Sequence, residues 1–219
     1  MRKIRAYLLL ILFSLSSVSF ATEPANIALS KQALIQYYDS GEYTKDINGV
    51  INNAMQYLKS RVAQRSFGGL KPAIVLDIDE TALSNYPALR KLNFGGTHDE
   101  IEQYEIQGND PVINSTLKLY KYAKANHIAV FFITGRHDYE REATIKNLNN
   151  VGYEDFDGLF LRTAKHQSTP AAIYKTEIRK DLATQGYNIL LNIGDQHSDL
   201  AGGYADKVFK LPNPYYLIS

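Results

Sequence analysis

Three short, nearly unbroken apolar runs constrain this chain more than any other feature: Ala73-Ile74-Val75-Leu76, Ile128-Ala129-Val130-Phe131-Phe132-Ile133 and Ile189-Leu190-Leu191-Asn192-Ile193. Each lacks the alternation of a half-exposed strand and is too short for a buried helix, so each reads as a strand covered on both faces, as in a parallel sheet. Each gives way at once to polar residues: Asp77, Thr134 and Asp195. Between and before them, apolar residues recur at three- and four-residue steps. Such steps predict helices over Asn26 to Arg65, broken at Asp39-Ser40-Gly41, over Val112 to Ala125, over Asp138 to Asn149 and over Thr169 to Thr184. Shorter apolar pieces at Leu159 to Leu161 and Val208 to Leu211 complete an alternation of strand and helix. That order predicts an α/β fold, a parallel sheet with helices on both faces. Ligands of open α/β sheets bind at the carboxyl ends of the strands, so Asp77, Thr134 and Asp195 are expected to converge.

Residues 82–110 gather Asn, Pro, Gly and charge without clear periodicity and read as an irregular insertion with at most one helix, around Asp99 to Ile106. At the other end, Arg2, Lys3 and Arg5 precede the apolar run Ala6 to Leu15, and Ser19-Phe20-Ala21 supplies small residues at a cleavage site. This is the layout of a secretory signal peptide, residues 1–21, with the run too short to span a membrane. The expected mature chain, residues 22–219, is a single domain with no membrane anchor, periplasmic or secreted. Its basic and acidic residues nearly balance, 24 against 23 in the full chain, which argues against a nucleic-acid polymer as partner. The absence of cysteine excludes disulfides, thiolate metal sites and a cysteine nucleophile.

Asp77-Ile78-Asp79-Glu80-Thr81 is the densest local signal. Residues i and i+2 of an extended segment face the same side. Two carboxylates placed together repel, so that one takes a proton or a cation lies between them, and with no sulfur ligand the cation would be a hard one such as Mg²⁺. The alternative is a solvated acidic turn at a strand end.

The order of the remaining motifs resembles the haloacid dehalogenase (HAD) superfamily: Asp77-Ile78-Asp79-Glu80-Thr81, then Thr134 in Phe132-Ile133-Thr134-Gly135-Arg136, then Lys175, then Gly194-Asp195-Gln196-His197-Ser198-Asp199. The flanking stretches DIDETALSN (77–85), FITGR (132–136), GDQHSDL (194–200) and FKLPNP (209–214) resemble its secreted acid phosphatases, of the class B, class C and plant vegetative-storage-protein type. The resemblance implies a Rossmannoid three-layer sandwich, with N-terminal helices and, instead of a large cap, a small irregular insertion, 82–110, which is expected to set substrate choice. It also implies hydrolysis of small phosphate monoesters, among them 5′-nucleotides, through an aspartyl-phosphate. In that scheme Asp77 is the nucleophile and Asp79 the general acid and base. Mg²⁺ is held by the Asp77 carboxylate, the Asp79 main-chain carbonyl and the Asp195 carboxylate, while Thr134, the Gly135 N–H and Lys175 bind the phosphoryl group. Asp199 and Thr81 stand behind these as supporting residues. Relatives of this type also imply a homodimer or homotetramer. The competing reading is a non-catalytic storage or phosphate-ester-binding protein of the same fold, against which the presence of both Asp77 and Asp79 counts.

Some assignments stay open at this level. Lys165 also lies between Thr134 and Asp195, although Lys175 is preferred for its place in a Tyr-Lys-x-x-x-Arg setting before the Ile189 strand. Arg136 either touches substrate or pairs with a carboxylate. Tyr86, Tyr104 and Tyr215 are candidates for stacking on a nucleobase, with ordinary packing as the alternative. The five histidines show no metal-binding spacing, and Asn114-Ser115-Thr116 matches a glycosylation acceptor.

Overall fold

The computed structural model describes residues 24–65 and 67–218, so the expected signal segment 1–21 lies outside the described residues. The Asn26 side chain caps α1 (Ile27–Asp39), accepting from the Ala28 N–H at 2.9 Å. Gly41 then turns the chain at φ 81°, a left-handed value that favours glycine, into α2 (Glu42–Gln64). Along α2, Ile47, Ile51, Ala54 and Leu58 recur every three or four residues and are all buried. The expected break at Asp39-Ser40-Gly41 is where the two helices part.

Five strands of the described residues form one parallel sheet in the order β3-β2-β1-β4-β5: β1 (Lys71–Leu76), β2 (Ala129–His137), β3 (Gly158–Arg162), β4 (Tyr187–Gly194) and β5 (Lys207–Lys210). The alternation of side chains along β1 and β2 divides the core in two. Ile74, Leu76, Val130 and Phe132 pack with residues of α2 and α5 (Asn114–Ala125), whereas Ala73, Val75, Phe131 and Ile133 pack with Tyr174 and Leu182 of α7 (Ala171–Thr184). These are the expected three layers, and the strands are apolar on both faces because helices cover both.

Two expectations need correction. Residues 82–110 carry two helices, not at most one: α3 (Tyr86–Lys91) and α4 (His98–Glu105). Six residues are too few to show a period, and the signals that hold α3 are Pro87 in its first turn and a stacking contact between Tyr86 and Tyr38. The start of α4 is marked by a reciprocal capping box between Thr97 and Glu100. The second correction concerns β2, which continues past Ile133 through Thr134-Gly135-Arg136 to pair again at His137 with Arg162. After β2 a short turn leads to α6 (Arg141–Asn150), and after β4 comes α8 (His197–Leu200).

Candidate active site

The carboxyl ends of β1, β2 and β4 meet, β1 lying between the other two. Asp77, the first residue beyond β1, is held by its N–H to the Ile193 carbonyl at 2.9 Å. The chain then folds into a tight turn in which the N–H groups of Thr81, Ala82 and Leu83 all point at the Ile78 carbonyl. Glu80 sits inside this turn at φ 51°, an uncommon conformation for a residue with a Cβ. Its buried carboxyl stabilises that conformation from two sides, accepting from the Asn85 N–H at 2.7 Å and the Tyr216 hydroxyl at 2.6 Å.

Lys175, buried on α7, donates to Asp77 Oδ1 at 2.5 Å and to Asp199 Oδ1 at 2.6 Å. Lys165 is exposed, so the geometry brings Lys175 and not Lys165 to the strand ends. Arg179, one turn further along α7, donates to the main-chain carbonyls of Asp199, Ala201 and Gly203 and so fixes α8, which carries Asp199, and the turn that follows it. Asp195 follows β4 and is buried. Its oxygens accept from Gln196 Nε2 (2.6 Å), Asn213 Nδ2 (2.7 Å) and, at 3.4 Å, Thr81 Oγ1. Gly194 permits this crowding, since a Cβ there would stand 2.3 Å from that of Asp199.

Asp77, Asp195 and Asp199 each offer a carboxylate oxygen within 4.8 Å of the others, all buried. Burial, then the charge of Asp199, pushes the Asp77 carboxyl well above its usual range even though Lys175 pulls it down. Burial and Asp199 raise Asp195 in the same way. Burial alone would lower Lys175, but Asp199 and Asp77 outweigh it and hold the ammonium charged. A compact set of oxygen donors with more carboxylates than cations fits a hard divalent metal ion, which would favour the ionised form of each. Asp199 shares Lys175 with Asp77 while its second oxygen accepts from the Gln196 N–H at 2.7 Å, so both of its oxygens are already engaged by protein donors.

Asp79 does not form a close pair with Asp77. Its carboxylate turns to Arg136, which donates from Nη2 at 2.7 Å and from Nε at 3.1 Å, and to Asn85 Nδ2 at 3.0 Å. Burial raises Asp79, but the Arg136 charge and these bonds prevail and hold its carboxyl below the usual range. Arg136 thus takes the carboxylate-pairing role of its two expected ones. Thr134 is fully buried, with its hydroxyl 3.4 Å from Asp79 Oδ2 and accepting from the Arg136 N–H. At Gly135 no atom lies within 4 Å of where a Cβ would stand, which leaves that face open to an incoming group.

Sequence reasoning missed Glu105, Asp110, Asn213 and Tyr216, which bond to Asn85, Arg136, Asp195 and Glu80 respectively and so complete the site. Asn213 lies in the quoted FKLPNP stretch and was the one with a signal of its own. Of the aromatic candidates, Tyr86 stacks on Tyr38 at 3.4 Å and Tyr215 lies within 6.0 Å of Tyr43, Tyr86 and Phe94, so these rings pack on one another. Lys91 lies over Tyr104, and His197 is exposed.

The sequence model of the HAD superfamily, subfamily IIIB (acid phosphatase), matches residues 9–219. Acid phosphatase 1 of Solanum lycopersicum is 35% identical over 187 residues, covering 84% of this chain and 72% of that protein. Vegetative storage protein 1 of Arabidopsis thaliana is 31% identical over 207 residues, covering 92% and 74%. Among solved structures, the class C acid phosphatase from Bacillus anthracis superimposes with a TM-score of 0.70 at 25% identity, covering 86% of each chain. No helix among the described residues is long and apolar enough to cross a membrane. With the motifs in order, the sheet topology shared and the family model spanning nearly the whole length, this chain belongs to the HAD-superfamily acid phosphatases of subfamily IIIB, phosphoric monoester hydrolases.

Proposed function

We propose that the chain is an exported, Mg²⁺-dependent acid phosphatase that cleaves small phosphate monoesters in two steps through Asp77. The observation that carries this reading is the contact of Lys175 with both Asp77 and Asp199, which sets a buried cation beside the carboxylate assigned as nucleophile. In the first step an Asp77 oxygen forms a bond to phosphorus as the ester oxygen departs, and Asp79, which Arg136 favours as the carboxylate in the free site, must first take up the proton that it gives that oxygen. In the second, Asp79 takes a proton from the water that attacks phosphorus, and inorganic phosphate leaves Asp77 free. Thr134 and the Gly135 N–H donate to the phosphoryl oxygens, and Lys175 offsets their charge as it spreads in the transition state. Thr81, Gln196 and Asn213 orient Asp195, and Asp199 orients Lys175.

The Asp77 and Asp195 carboxylates and the Asp79 main-chain carbonyl would hold Mg²⁺. Bound there, it would neutralise phosphate charge and favour the ionised form of Asp77 against the effect of burial. Export rests on the N-terminal segment and on relatives such as the stem 28 kDa glycoprotein of Glycine max, 35% identical over 193 residues. The test is hydrolysis of nucleoside 5′-phosphates, sugar phosphates and aryl phosphates by mature protein, after chelation and after Mg²⁺ is restored. Turnover that chelation removes and Mg²⁺ returns is expected. Failure to hydrolyse any ester would favour the storage role that the vegetative storage relatives carry in their name.

A further inference from the structure

Arg136 is buried, its side chain 1% exposed, and every nitrogen of its guanidinium is engaged within the protein. Nε and Nη2 both reach Asp79 Oδ1, at 3.1 and 2.7 Å; Nη2 also reaches Asp110 Oδ2 at 3.1 Å, and Nη1 lies 3.4 Å from Thr144 Oγ1. Four of its five N–H groups are thus directed at protein acceptors, three of them at the carboxylates of Asp79 and Asp110. Asn85 adds a third bond to Asp79 Oδ1, at 3.0 Å, while its other amide hydrogen is given to Glu105 Oε1, also at 3.0 Å. The contacts of Asp79 are therefore lopsided. Oδ1 accepts undivided bonds from Arg136 Nη2 and Asn85 and the shorter branch of the single Nε hydrogen, whereas Oδ2 has the longer branch of that hydrogen, at 3.3 Å, and the Thr134 hydroxyl at 3.4 Å.

Asn85, Glu105 and Asp110 come from the segment expected to set substrate choice, yet in the structure they converge on the carboxylate that must handle the proton. Main-chain bonds hold two of them in place without their side chains. The Asn85 N–H bonds to Glu80, and Asp110 is clamped by Asn147, which accepts from its N–H at 2.8 Å and donates to its carbonyl at 2.9 Å.

We infer that Arg136 and Asn85 are positioning residues for proton transfer: they fix Asp79 by Oδ1 and leave Oδ2 as the oxygen that carries the proton to the departing group. This rests on the two-step reading above, in which Asp79 is the general acid. Such a role has a signature that a merely structural one lacks. A nitrophenolate departs readily as an anion and gains little from a proton donor, whereas an alkoxide depends on it, by about 10²–10⁴-fold for a well-placed acid. The quantity to follow is kcat/KM, which reports steps only up to the first irreversible one, cleavage of the ester.

The experiment compares glycerol phosphate with p-nitrophenyl phosphate in wild-type protein, Arg136→Lys and Asn85→Ala, each checked for folding by thermal melting. Arg136→Lys should lower kcat/KM for glycerol phosphate by ~10²-fold and that for p-nitrophenyl phosphate by no more than ~3-fold, and Asn85→Ala should show the same selectivity at ~10-fold. Should Arg136→Lys fail to fold, Asn85→Ala decides. Equal losses on the two esters, a rise in KM alone, or no loss in a folded variant would each overturn the assignment. A wild-type protein that hydrolyses neither ester would overturn the phosphatase reading and this one with it, an outcome distinct from a wild type that cleaves both.

Discussion

Asp110 offers a direct check on the electrostatics of the site, because its carboxyl titrates within a convenient range. Burial pushes it from the ordinary 3.8 to about 6, against the pull of the neighbouring Arg136. A carboxyl that holds its proton more tightly when folded contributes most to stability below 3.8, and that contribution is lost as pH rises through about 6. The full difference corresponds to ~3 kcal/mol, at 1.36 kcal/mol for each tenfold change in proton affinity. About two-thirds of it, ~2 kcal/mol, falls between about pH 4.5 and 7.5, which for a domain of this size is ~4–8 °C in Tm. Asp110→Asn removes the titration while keeping an acceptor for Arg136, and the main-chain clamp by Asn147 keeps residue 110 in place. The assay is calorimetric melting at the two pH values, in chelator, for both proteins. Wild type should lose ~4–8 °C more than the variant on going to the higher pH. Equal losses in the two proteins would refute the reasoning, because the strain of holding a buried carboxylate at 110 would then be absent.

Other consequences follow from the same contacts. Lys175→Met leaves Asp77 and Asp199 buried without their shared cation, so chemical denaturation should show a loss of ~3–5 kcal/mol. Steady-state assays of the same variant should show kcat/KM lower by ~10²–10³-fold, and a stable, active Lys175→Met would remove Lys175 from the site. Gly194→Ala forces a Cβ against Asp199 and should cost ~1–3 kcal/mol in urea unfolding together with most of the activity; an unchanged midpoint would contradict the close approach of β4 and α8.

How much of this was legible in sequence depended on where the physical cause lay. The parallel sheet was readable because β1, β2 and β4 are covered on both faces, which leaves an apolar run in the sequence, and their polar ends marked Asp77, Thr134 and Asp195. The short helix α3 left no periodic trace, since a stacking contact across 48 positions between Tyr38 and Tyr86 helps to hold it. The pairing of Asp79 was likewise hidden. Spacing alone places it beside Asp77, but the turn closed on the Ile78 carbonyl swings it to Arg136, and no local rule foretells a partner 57 residues away. Nor could the sequence disclose that Asn85, Glu105 and Asp110, from an apparently irregular stretch, close round the same carboxylate.

In the proposed two-step reaction Asp77 carries the phosphoryl group between the steps. The most direct measurement is acid quenching during turnover of a good substrate, followed by mass spectrometry of the peptide that contains Asp77. A phosphoryl adduct on Asp77, absent from Asp77→Asn along with all turnover, is the predicted result; undiminished turnover in Asp77→Asn, or an adduct on another residue, would contradict it.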